Sequence, residues 1–205
     1  MPTLISETDV RLERADLCRR IVLPRDTSDN FIVPPPRAPG LHLSGLLRYV
    51  AQKSRITSYL EQLDEEAVPL RWALGIAWEE FAASLYPDMV WQPGEVTDPV
   101  IMTCDGIGYL SDVNQPCIEE FKCNRAKKYT GADMLKKKWA WLCQGAGYCI
   151  GYGCEFVRWH VLSVMEFPDP VYTKYLVGFT SKELGEMRKM IENNRSGAIS
   201  EGYCE

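Results

Sequence analysis

Hydrophobic positions along the chain change period several times, and each change predicts an element. Residues 69–86, PLRWALGIAWEEFAASLY, place apolar side chains three and four apart, the repeat of a helix with one buried face, and Pro87 stops the run. Upstream, LHLSGLLRYVAQ predicts an apolar helix with Ser44 as its N-cap. Another helix, over about 56–64, runs into the acidic DEEAVP. Residues 1–30 are mixed and charged, with weak helical periodicity around DVRLERADLCRRIV. FIVPPPRAPG follows at 31–40, and its four prolines and glycine read as an extended linker or wrapping arm.

Strand character begins at MVWQPG. In PVIMTCDGIGYLSDVNQPCIEEFKC the centre, SDVNQP, is turn chemistry between two β-rich runs, so a hairpin is predicted. TGADMLKKKWAWLCQGAGYCI is helical from 130 to about 150, and CEFVRWHVLSVM (154–165) is β-rich. Thr180 and Glu183 form a capping box opening a last helix to about Asn194, with Gly197 beyond. The order helix, strand, hairpin, helix, strand, helix predicts an α/β fold, a central mixed β-sheet flanked by helices. Residues 41–205 carry it, and residues 1–40 are an N-terminal arm with a helical extension.

Composition narrows the class. A chain of 205 residues with 46% hydrophobic positions can bury one proper core. The net charge of −5 gives no hint of nucleic acid for the molecule as a whole, and no apolar run is long enough to span a bilayer. With no signal-peptide pattern, a cytoplasmic protein is expected. The eight cysteines contain no C-x-x-C pair, which argues against a zinc ribbon. They are expected to be reduced and mostly buried.

Candidate chemistry starts at CIEEFKC, residues 117–123. Alternation on a strand points Ile118, Glu120 and Lys122 one way and Glu119, Phe121 and Cys123 the other. A solvated ion pair would explain Glu120 and Lys122 alone. On the preceding hairpin strand, however, stands Asp105, followed by Gly106, and an aspartate is out of place in a β-rich run. The hairpin can set Asp105 beside Glu120, and two adjacent carboxylates call for a divalent cation. A hard, oxygen-ligand site for Mg²⁺ or Mn²⁺ follows, one or two ions, with Lys122 at the rim.

Arg71, Gly75 and Glu79 share a face of helix 69–86. Gly75 would let that helix lie against the sheet and deliver Glu79 to the same metal, with Glu80 as the competing candidate. Gln144 and Tyr148 are one turn apart, and Gly145 and Gly147 thin the helix there, so that another chain could approach. His160 is expected on a strand near the site in a structural role. An acidic protein also concentrates Lys122, Arg125, Lys127, Lys128, Lys136, Lys137 and Lys138 in one stretch, opposed there only by Asp133. Such a cluster neutralises phosphates in DNA-binding proteins, or is a solvated helix face. Tyr129, Trp139 and Trp141 are interleaved, for stacking on a base or for the core.

The ordered set R-x3-G-x3-E (Arg71, Gly75, Glu79), D-G (Asp105, Gly106), E-F-K (Glu120, Lys122) and Q-x3-Y (Gln144, Tyr148) resembles the PD-(D/E)XK nuclease superfamily, in its RecB-like and phage lambda-exonuclease-like branch. The resemblance covers about residues 40–165, and LHLSGLL looks like that branch's first helix. It implies a restriction-endonuclease-like core in which Glu79, Asp105 and Glu120 bind metal. It also implies that Lys122 positions or activates water, and that Gln144, Tyr148 and Arg71 contact DNA. Cys104 stands where the proline of the motif would be. Some relatives carry an iron–sulfur cluster, but the spacing of Cys18, Cys143, Cys149 and Cys154 does not fit one. The implied activity is Mg²⁺- or Mn²⁺-dependent hydrolysis of DNA phosphodiesters, an exonuclease on DNA ends in phage-type recombination or DNA turnover. An endonuclease, or a non-catalytic DNA-binding module, is the alternative. DNA is the implied partner, with a single-strand annealing or recombination protein and a homo-oligomer as further expectations, in host cytoplasm if the chain is phage-encoded.

Overall fold

Ten residues, Gln115–Asn124, form the longest strand among the described residues, and the rest of the sheet is arranged around it. The computed structural model describes residues 1–11, 38–56, 68–124, 127–165 and 169–204, without the side chains of 68–73. In chain order the elements are β1 (Thr3–Val10), α1 (Leu43–Lys53), α2 (Val68–Ala83), β2 (Val90–Trp91), β3 (Gly106–Leu110), β4 (Gln115–Asn124), α3 (Gly131–Lys137), α4 (Trp139–Tyr152), β5 (Phe156–Ser163), β6 (Val171–Gly178) and α5 (Ser181–Ser200). Among the described residues they make an α/β fold, a six-stranded mixed sheet in the order β1-β6-β5-β4-β3-β2 with five helices packed against it. Only β4 and β5 pair in parallel, because α3 and α4 intervene and return the chain to the same end.

Alternation gives the sheet two unlike faces. Ile118, Val157, Trp159, Val161, Tyr175 and Val177 face α1, α4 and α5 in the larger core. Phe121 and Tyr172 face α2 through Trp78 and Ala82 in a smaller one. Gly145 has a packing reason on the larger side: a β-carbon there would stand 2.7 Å from the Trp159 ring.

Several expectations are corrected. Thr3–Val10 is an edge strand antiparallel to β6, where Glu7 and Asp9 gain a cationic partner in Lys128, and the helical periodicity expected around residues 9–22 falls almost wholly outside the described residues. Strand β6, VYTKYLVG, was not anticipated, because its apolar residues do not alternate cleanly. His42, not Ser44, is the N-cap of α1; Ser44 lies inside the first turn. Helix α2 ends at Ala83, and the chain then tightens through Leu85 N–H to Ala82 and Tyr86 N–H to Ala83 ahead of Pro87, which disfavours helix at the residue before it. The single run over 130–150 is two helices, broken at Lys138 (φ −104°, ψ 52°). Helix α5 continues through Gly197 to Ser200, since Gly197 makes room for the Tyr49 hydroxyl rather than ending the helix. The helix expected at about 56–64 and the arm at 31–40 fall almost wholly outside the described residues.

Candidate active site

The site is built by a difference in strand length. β3 pairs with β4 only as far as Gly106 opposite Glu119, while β4 runs on to Asn124. On the β3 side, the backbone N–H of Phe121 is therefore left without a strand partner. Asp105, the residue just before β3, fills the gap: its Oδ2 accepts the Phe121 N–H at 2.8 Å. Its own N–H donates to Glu120 Oε1 at 3.3 Å, and Lys122 Nζ meets Glu120 Oε2 at 2.7 Å. The hairpin thus brings Asp105, Glu120 and Lys122 together as the sequence spacing anticipated.

Glu79 reaches the same fork from α2, on the other side of the sheet. Burial and then the charge of Asp105 push its carboxyl up to about 7. Trp91 Nε1 at 3.3 Å and the Gln92 side chain donate to it. Neither Trp91 nor Gln92 was singled out from sequence; the one signal is the left-handed backbone of Gln92 (φ 47°), which only the fold reveals. Glu120 is fully buried, and burial and Asp105 push it up to about 8. Asp105 is raised as well, chiefly by burial. Burial alone would lower Lys122, but Glu120 and Asp105 outweigh it and hold the ammonium up at about 12. The neighbouring carboxylates thus favour the charged form of Lys122.

The donor set is hard carboxylate oxygen, which suits Mg²⁺ or Mn²⁺ held by one or two carboxylates, with water and phosphate completing the shell. Asp105 and Glu120 are neighbours, joined through the Asp105 backbone N–H and Glu120 Oε1. Among the described residues, however, no three His, Cys, Asp or Glu side chains are grouped closely enough to hold one. Glu80, the alternative to Glu79, has Oε2 buried with no hydrogen-bond partner among the described residues.

The remaining assignments divide. Tyr148 is buried, and its hydroxyl accepts from Gln144 Nε2 at 2.8 Å. Burial and the charges of Glu120 and Asp105 raise its pKa, so it lies on the site side of α4. The glycines beside it do not open a path for DNA: Gly145 meets Trp159, and Gly147 meets Leu43. Among the described residues nothing packs against Gly75: a β-carbon there would have none of them within 4 Å. The basic stretch is partly neutralised. Lys128 pairs with Glu7 (3.1 Å) and Asp9 (2.9 Å), so Asp133 is not its sole opposition. Lys137 pairs with Asp133, and Lys138 sits over the Tyr129 and Trp141 rings. Lys127 and Lys136 are exposed. Trp139 and Trp141 pack against the larger core. Arg125 and the Arg71 side chain lie outside the described residues. The seven described cysteines are all free thiols.

Sequence reasoning missed Glu119. It is buried on the face opposite Glu120, with Arg158 Nη1 at 2.9 Å and His160 Nε2 at 2.7 Å. Arg158 and His160 alternate on one face of β5, and that R-x-H pattern was the available signal. No helix among the described residues is long and apolar enough to cross a membrane. Comparison with protein-family models, with curated proteins and with solved structures gave no match to this chain.

Proposed function

We propose that this chain is a divalent-metal-dependent DNA nuclease of the PD-(D/E)XK kind, an exonuclease in preference to an endonuclease. The carrying observation is the fork itself: Asp105, Glu120 and Lys122 bonded together where β4 outruns β3, with Glu79 facing them. Burial raises the proton affinity of all three carboxyls, Asp105 adds to it at Glu79 and Glu120, and a divalent cation is a partner that relieves this. Asp105 and Glu120 would hold it, with Glu79 turned toward them. When bound, the ion supplies an acidified water and neutralises charge on the phosphate.

The chain's own residues have separate tasks. Lys122, held protonated by Glu120 and Asp105, places a positive charge against the pentavalent phosphorus and orients water by donating to it. Gln144 fixes the Tyr148 hydroxyl on the same side of the sheet. The exposed Lys127 and Lys136 suit phosphates beyond the scissile one. One observation favours a second reading, a non-catalytic DNA-binding module: the described residues form no three-ligand metal group.

The test is degradation of a 5′-labelled linear duplex beside a covalently closed circle of the same sequence, in Mg²⁺, Mn²⁺ or EDTA. Loss of the linear form alone, with metal, is the expected result. Cutting of the circle makes the protein an endonuclease. Binding without cleavage of either favours the second reading.

A further inference from the structure

A chain of polar side chains runs through the smaller core, on the sheet face away from Glu120, and nothing in the proposed chemistry uses it. It begins at Glu119, which takes Arg158 on Oε1 and His160 Nε2 on Oε2. Gly108 makes space for it, since a β-carbon there would overlap Glu119 Oε1 at 2.1 Å. His160 Nδ1 lies 2.5 Å from the Tyr172 hydroxyl, which lies 2.6 Å from the Tyr86 hydroxyl. Burial lowers the His160 pKa from its ordinary value, and the hydrogen bond to Glu119 opposes that shift. His160 Nε2 bonds Glu119, His160 Nδ1 bonds the Tyr172 hydroxyl, and that hydroxyl bonds the Tyr86 hydroxyl. Every polar atom along this line has a partner, the condition under which a buried network rigidifies its surroundings.

The two ends of the chain belong to the two halves of the site. Glu119 and Phe121 flank Glu120 on β4, and the Phe121 N–H is the group that Asp105 grips. Tyr86 follows α2, while Trp78 on that helix donates to the His160 carbonyl at 3.0 Å and meets the Tyr172 ring edge-on at 4.9 Å. Trp78 and Tyr86 thus anchor α2 on either side of Glu79. We infer that the Tyr86–Tyr172–His160–Glu119 chain is a positioning device that sets Glu79 of α2 against Asp105 and Glu120 of the hairpin, and so tunes the affinity of the site for its divalent ion. The inference rests on the nuclease reading. Tyr86 and Tyr172 are positioning residues, not catalytic ones, because neither touches the carboxylates of the site.

The experiment uses the full chain, with Mn²⁺ binding followed by electron paramagnetic resonance and cleavage followed against Mn²⁺ concentration. Tyr86→Phe removes one hydroxyl and keeps the ring. It should weaken Mn²⁺ binding by about threefold to tenfold, less than a partner bonded directly to a ligand. The Mn²⁺ requirement for cleavage should rise by the same factor, with little change in rate at saturating metal. In a Glu79→Gln background the same substitution should have no further effect on Mn²⁺ binding. Tyr172→Phe should repeat the pattern. If Tyr86→Phe lowers the melting temperature but leaves Mn²⁺ affinity unchanged, or if its loss persists undiminished with Glu79→Gln, the chain only stabilises the core and the inference fails alone. If the unsubstituted protein neither binds Mn²⁺ nor cleaves DNA, the nuclease reading falls and this inference with it.

Discussion

Asp105 accepts the backbone N–H of Phe121 at 2.8 Å, so one carboxylate closes a gap in the sheet and also crowds Glu120. Those two roles separate by substitution. Asp105→Asn keeps an acceptor oxygen and removes the charge, so stability should hold or rise slightly. Asp105→Ala leaves a buried N–H unpaired and should cost about 1–3 kcal/mol. Both should abolish metal-dependent cleavage. Urea denaturation beside a cleavage assay checks this, and equal stability of the two variants would refute the assignment of the hydrogen bond.

Stability should depend on pH in a direction that metal reverses. Glu79 and Glu120 have carboxyls raised from 4.5 to about 7 and about 8. A raised folded-state value means that the folded chain holds protons which the unfolded chain releases. The stability these groups contribute is complete below about pH 4.5 and is lost as pH rises through 7 and 8. In EDTA the melting temperature should fall from pH 6 to 9. Mn²⁺ should restore more at pH 8.5 than at 6, since it binds the ionised carboxylates. A metal-induced shift that does not change with pH would contradict this.

Glu79 and its neighbour Glu80 should differ sharply. Glu79 faces Asp105 and Lys122, whereas Glu80 Oε2 has no hydrogen-bond partner among the described residues. Glu79→Gln should reduce Mn²⁺-dependent cleavage by more than the roughly tenfold that outer-shell changes begin at. Glu80→Gln should stay within about threefold, below that outer-shell range. The reverse order would move the helix ligand by one residue.

Two glycines should respond with opposite signs. Gly75→Ala, inside a helix, meets none of the described residues within 4 Å and should stabilise by about 0.5–1 kcal/mol. Gly145→Ala drives a β-carbon to 2.7 Å from Trp159 and 3.1 Å from Val157, and should cost about 1–3 kcal/mol. Thermal unfolding of each decides it.

Single lysine substitutions should divide the basic stretch. Lys127→Ala and Lys136→Ala, at exposed positions, should each lower the salt dependence of DNA binding by about one phosphate contact with unchanged stability. Lys128→Ala should loosen β1, because Glu7 and Asp9 lose their cation. Salt titrations of binding together with melting curves distinguish the three.

The hairpin, and the meeting of Asp105, Glu120 and Lys122 on it, were legible in sequence because both are local. Turn residues fix the register, and register fixes the face on which Glu120 and Lys122 stand. The capping box at Thr180 was legible for the same reason. What escaped depends on distant partners. Thr3–Val10 becomes a strand only because Val171–Gly178 lies beside it. Glu119 is a charged residue that looks solvated until Arg158 and His160 arrive from β5. Gly145 and Gly147 were read as an opening for another chain, yet they are filled by this chain's own Trp159 and Leu43, which periodicity alone does not reveal.

Strand β1 also bears on how the molecule assembles. Its partner is β6, the last strand in sequence, so Thr3 pairs with Gly178 and Val10 with Tyr172. Closing so long a loop costs entropy before any ladder bond repays it. The central hairpin and the β4–β5 crossover can form while β1 still waits for residues 171–178 to be made. The strand that seals this edge of the sheet is therefore expected to dock late and to detach first, and hydrogen exchange would register it as the fastest-opening part of the ladder.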